Sequence, residues 1–168
     1  SSPHGRRHRK CKRQRNQEGT VAKILDNLPA TVSALKLGYN QGISDAGMMH
    51  LHLIPDSVTY LDLSCCDLGP IGINRVCEFL KMNKSITTMF VFANRIGDEG
   101  FKDVSDMLKV NNTMSELFIN YCPITPTNCS HLSEGLAQNT GLRRLHIGGR
   151  NDLTDEHIQN LCPGLALN

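Results

Sequence analysis

Tryptophan is absent from this 168-residue chain and only eight residues are aromatic, five Phe and three Tyr. A core built on large rings is therefore excluded, and the position of each ring becomes informative. No apolar run approaches ~20 residues, so no segment reads as a membrane-spanning helix. Cys122, Cys129 and His131 have no C-x2-C pair beside them, which removes the usual spacing of a structural zinc site. Gly148-Gly149-Arg150-Asn151 is glycine-rich but lacks the Gly-Lys-Ser/Thr ending of a phosphate loop. No metal and no cofactor is implied. Acidic residues are missing from residues 1–16, which hold seven of the 18 Lys and Arg: Arg6, Arg7, Arg9, Lys10, Lys12, Arg13 and Arg15. The rest of the chain carries 11 basic against 16 acidic residues, a net −5, so the overall +2 describes neither part.

What is present is a period. Val58, Ile86, Met114 and Leu142 each open the same phrase, 28 residues apart, and an earlier copy opens at Val32. Self-similarity at this spacing predicts a stack of like supersecondary units. Within each copy the pairs Leu35/Leu37, Leu61/Leu63, Met89/Val91, Leu117/Ile119 and Leu145/Ile147 alternate with variable residues, the pattern of a half-buried strand. Asn40, Cys66, Asn94 and Cys122 follow three residues later, where a hydrogen-bonding side chain can close the turn. In the fifth copy, one residue longer, Arg150 or Asn151 takes that place. Helical spacing follows in Ile73/Val76/Leu80, Phe101/Val104/Leu108, Cys129/Leu132/Leu136 and Ile158/Leu161/Leu165. Gly72 and Gly100 are expected just before their helices, and Asn83, Asn111 and Asn139 at the helix ends.

The phrase L-x-x-L-x-L-x-x-(N/C)-x-L followed by a helix resembles the leucine-rich repeats. The 28-residue length and N-x-(S/T) ending resemble their ribonuclease-inhibitor-like subfamily. The resemblance spans roughly residues 31–168. It implies an α/β fold, a right-handed solenoid with short parallel strands on a concave face and helices on a convex one. It also implies a curved scaffold that binds proteins. The expected domains are a basic, disordered arm over 1–17, a capping helix or partial repeat over 18–30 carrying Val21, Ile24, Leu25 and Leu28, and about five repeats over 31–168.

The seven cysteines are odd in number and most fall in repeat columns, so they read as reduced thiols in an intracellular, cytoplasmic or nuclear protein; a secreted effector is the alternative. Asn83, Asn111 and Asn128 open formal glycosylation sequons, but two of these are the repeat ending itself.

Strand residues between the leucines point away from the helices. They place Tyr39, Tyr60, Phe90, Phe92, Phe118 and Tyr121 on the concave face, six of the eight aromatic residues. Ser64 and Cys65 share that face, with Lys36, Asp62, Glu116, Arg144 and His146 as its charged or titratable members. Asp62 and His146 are three strands apart, about 14 Å, so with Glu116 they form no contact triad. The leading expectation is a non-catalytic scaffold or adaptor that binds a protein partner through Tyr39, Tyr60, Phe90, Phe92, Phe118, Tyr121, Asp62, Glu116, Arg144 and His146. A plainer reading gives the rings only a sideways packing role across the strands. Further alternatives are a ribonucleoprotein component whose arm contacts RNA or another anionic surface, and a regulator of a nucleotide-hydrolysing protein or a microbial effector.

Overall fold

A computed structural model describes residues 19–149 and 153–168; the basic arm, Arg150 and Asn151 lie outside the described residues. A helix over 19–26 (α1) comes first and buries Val21 and Leu25. Five three-residue strands follow: Ala34–Lys36 (β1), Tyr60–Asp62 (β2), Thr88–Phe90 (β3), Glu116–Phe118 (β4) and Arg144–His146 (β5). All pair in parallel, in sequence order, in one sheet. Each strand therefore joins the edge left by the one before it, which is how a repeat grows into a solenoid.

The convex side carries Pro70–Met82 (α3), Gly97–Leu108 (α4), Pro126–Gln138 (α5) and Asp155–Leu167 (α6). The first repeat has only a four-residue helix, Ser44–Gly47 (α2), running into a 3-10 segment, Met48–Leu53. His50 and His52 lie on that 3-10 segment. Gly72 and Gly100 are not ahead of their helices but inside the first turns, buried where successive helices approach one another. The leucine columns are buried through the middle repeats: Leu61, Leu63, Leu117, Val76, Leu80, Val104, Leu108 and Leu132 are fully enclosed. The last helix departs from the expected pattern. Leu161 is buried, whereas Ile158 and Leu165 are exposed, because among the described residues no further helix packs over α6.

Two polar ladders close the coils, since backbone groups at the turns must be paired when buried. At the strand exits, the Asn40 amide donates to the carbonyl of Leu37 at 2.9 Å, and that of Asn94 to Leu63 at 3.0 Å and Val91 at 2.8 Å. The Asn94 side-chain oxygen accepts from the N–H groups of Cys66 and Leu68. Cys66 and Cys122 hold the same column with thiols that donate to Leu37 and Val91 carbonyls. At the helix exits, Asn111 donates to Leu80 at 2.6 Å and Asn83 at 3.4 Å, and Asn139 to Leu108 and Asn111, both at 2.8 Å. Their oxygens accept from the first N–H groups of the next strand approach, Thr113 and Met114, then Gly141 and Leu142. Asn83, Asn111 and Asn128 are all buried and so engaged, which withdraws the three sequons from a glycosylating enzyme in the folded state.

Six described cysteines are free. Burial pushes the thiols of Cys66 and Cys122 up to about 11 and that of Cys77 higher still. Thiolate is the reactive form. Alkylation of the native protein at neutral pH, read by peptide mass spectrometry, should therefore mark Cys162 first and half-buried Cys65 more slowly. Cys66, Cys77, Cys122 and Cys129 should react only after denaturant unfolds the chain; native labelling at Cys77 would contradict this packing.

Candidate protein-binding face

Because the strands are parallel and in register, residues 28 apart stand side by side on the open face. Phe90, Phe118 and His146 occupy one row, and Tyr60 sits diagonally ahead of them. The rings form one stack. Tyr60 and Phe90 centroids are 5.1 Å apart with a 34° tilt, Phe90 and Phe118 are 3.9 Å apart at 8°, and Phe118 and His146 are 3.9 Å apart at 9°. Lys36 Nζ caps the Tyr60 end, 5.3 Å from the ring centroid. Burial, with the Asp62 carboxylate second, raises the Tyr60 phenol above its ordinary value, so it is a neutral hydrogen-bonding group at physiological pH.

The rings pack sideways, as strand neighbours do, and in near-parallel stacks along the sheet they turn their edges outward. Each ring is only half-buried in consequence. Phe101, by contrast, is wholly enclosed in the helix layer.

A second aromatic group stands one row further on. Tyr39 meets Phe92 edge-on, with centroids 6.1 Å apart at 71°. Ser64, in the turn after β2, is buried, not open as its register suggests, with a hydroxyl that has no hydrogen-bond partner. Tyr39 and Tyr121 remain 72% and 53% exposed.

Both tyrosines belong to a column whose backbone conformation the sequence period does not reveal. Tyr39, Cys65, Ala93, Tyr121 and Gly149 all have φ between 54° and 95°. The left-handed conformation is needed to turn the chain out of each strand, and it costs a non-glycine residue about 1 kcal/mol or more. Only Gly149 fits it without strain, and a side chain there would strike the Tyr121 ring. With four of five positions occupied by other residues, the usual glycine signal was hidden.

The charged members are mostly spoken for. Arg144 Nη1 donates to Glu116 Oε1 at 2.6 Å, and Asp62 Oδ1 accepts from the Ser64 N–H at 2.9 Å. Asp62, Glu116 and His146 form no mutual contact, in keeping with their separation across strands. Among the described residues no cluster of His, Cys, Asp or Glu could hold a metal ion, and no helix is long and apolar enough to cross a membrane.

Short parallel strands, helices behind them and asparagine ladders at both turns define a leucine-rich-repeat protein. A model described as Leucine Rich repeat matches residues 29–51 and 57–77. The chain is 32% identical over 142 residues to the ribonuclease inhibitor of Sus scrofa, covering 82% of this chain and 31% of the inhibitor. It is 29% identical over 111 residues to the human NACHT, LRR and PYD domains-containing protein 13, covering 66% of this chain and 10% of that protein. The chain thus spans less than a third of the curated relatives it matches. It is a leucine-rich-repeat protein of the ribonuclease-inhibitor-like type. The same fold is seen in the tropomodulin C-terminal domain of Caenorhabditis elegans (TM-score 0.70, 10% identity, 89% of this chain and 92% of that one). It recurs in a leiomodin-1 chain named as actin-binding site 2 (TM-score 0.61, 17% identity, 88% of each).

Proposed function

We propose that this chain is a non-catalytic protein-recognition module, a scaffold or adaptor that holds a protein partner on its concave aromatic face. The observation that carries the reading is the outward-edged stack of Tyr60, Phe90, Phe118 and His146 on an otherwise aromatic-poor protein. Exposed apolar strips mark association surfaces, and aromatic residues are favoured anchors there. One relative and one protein of the same fold bear names that point to protein targets, a ribonuclease and actin. The helix over 19–26 serves in this reading as the cap of the first repeat, shielding Leu37 and Ile43.

The left-handed column supplies a clean test. Glycine at positions 39 and 121 deletes two exposed rings while relieving backbone strain, which offsets the lost Tyr39–Phe92 contact and the added unfolded-state entropy. The Tyr39→Gly/Tyr121→Gly variant should keep its unfolding free energy within about 1 kcal/mol of the original. Its capture of the partner retained by the original chain should fall by roughly tenfold or more. Undiminished capture by this folded variant would place the contact on another surface.

A second reading rests on the seven basic residues of the arm, which suit phosphate electrostatics in a ribonucleoprotein. RNA binding that weakens steeply with salt and disappears on deletion of residues 1–16 is its expected result. No RNA binding at low salt would exclude it.

A further inference from the structure

Resting on the concave face as the protein contact, we infer the chemistry of what docks there: a protein segment with an apolar run that lies on the ring stack and carboxylates placed at the β5 end. Two observations converge. The first is the distribution of charge along the stack. At the β1 end Lys36 stands beside Asp62 in register, so the pair is neutral as a unit. At the β5 end Arg144 and Arg143, the residue just ahead of the strand, are both exposed, and Glu116 on β4 ion-pairs with Arg144. Among the described residues Arg143 has no ion-pair partner, and His146, two residues beyond Arg144, is the last ring of the stack. One end of the apolar strip is thus neutral and the other carries a positive excess.

The second observation is the orientation of the rings. Phe90, Phe118 and His146 are parallel and stacked, so a partner meets ring edges rather than faces. The edge of an aromatic ring is the positive part of its quadrupole. It favours carbonyl and carboxylate oxygens over cations, in the same sense as the arginines beyond it. A basic or purely aliphatic segment would satisfy only one of these features.

The test compares two fluorescein-labelled peptides with the same leucine- and phenylalanine-containing apolar tetrad, one followed by three glutamates and one by three lysines. Binding to the full chain is read by fluorescence anisotropy at low ionic strength, where exposed charges are weakly screened. The glutamate peptide should bind roughly tenfold more tightly or better, and the difference should shrink as salt is raised. Arg143→Glu, at a side chain with no hydrogen bond or ion pair among the described residues, should reduce the preference to about threefold or less. Lys36→Glu should leave most of it. Phe90→Ala/Phe118→Ala should abolish it, and this variant also reads any attraction from the basic arm, which every variant retains. Equal affinities, no binding of either peptide, or a preference that survives Arg143→Glu or the loss of the rings would overturn the inference. If the inference fails while partner capture remains sensitive to Tyr39→Gly/Tyr121→Gly, the recognition face stands and only its assigned ligand chemistry falls. If both fail, the face itself is wrong.

Discussion

Alanine at Asn94 is expected to lower the unfolding free energy by about 3–5 kcal/mol, a third or more of the stability of a typical domain. The side chain is buried and serves five backbone groups at once, three carbonyls and two N–H groups, in the middle of the stack. Removing it takes a hydrogen-bond partner from each of them. Cysteine should cost less than alanine, because Cys66 and Cys122 already hold the column with one thiol bond to a carbonyl. Urea titration of Asn94→Ala and Asn94→Cys should place the midpoints in the order asparagine, cysteine, alanine. Since each repeat touches only its neighbours, the alanine variant should also broaden the transition as the two halves of the solenoid uncouple. Midpoints that coincide would mean that water replaces the ladder at no cost.

Removing Phe90 and Phe118 together should weaken partner binding by roughly a thousandfold, from about 2 kcal/mol per anchoring ring. The fold should suffer much less. Both rings are half-exposed and their backbone bonds are unaffected, so the lost stacking is about 1–3 kcal/mol in total. A variant that keeps its cooperative unfolding but loses its partner is the expected outcome. One that unfolds outright would make the rings part of the core.

How far the chain could be read in advance depended on whether a residue's role is set by its column or by its neighbours in space. The columns of Leu61, Leu117 and Val104 are purely periodic, so strand, helix and burial followed from spacing. The asparagine ladders were legible for the same reason. Ser64 was not, because its register puts it on the open face and yet it is wholly buried in the turn after β2. His146 was placed on the correct face as a flank charge, yet its role as the fourth ring of a stack depends on a 3.9 Å contact with Phe118 that no spacing encodes. Ile158 and Leu165 follow the period faithfully and are nevertheless exposed, since a repeat position is buried only where a neighbour covers it.

The proposed recognition face is tested most directly by photo-crosslinking within the complex. Benzoylphenylalanine at position 118 projects from the middle of the stack; at position 102 it replaces an exposed lysine on the convex helix α4. Irradiation should join the partner to the chain labelled at 118 and not to the chain labelled at 102. Crosslinking at 102 with none at 118 would contradict the account, because the partner would then sit on the helices and leave the ring stack in solvent.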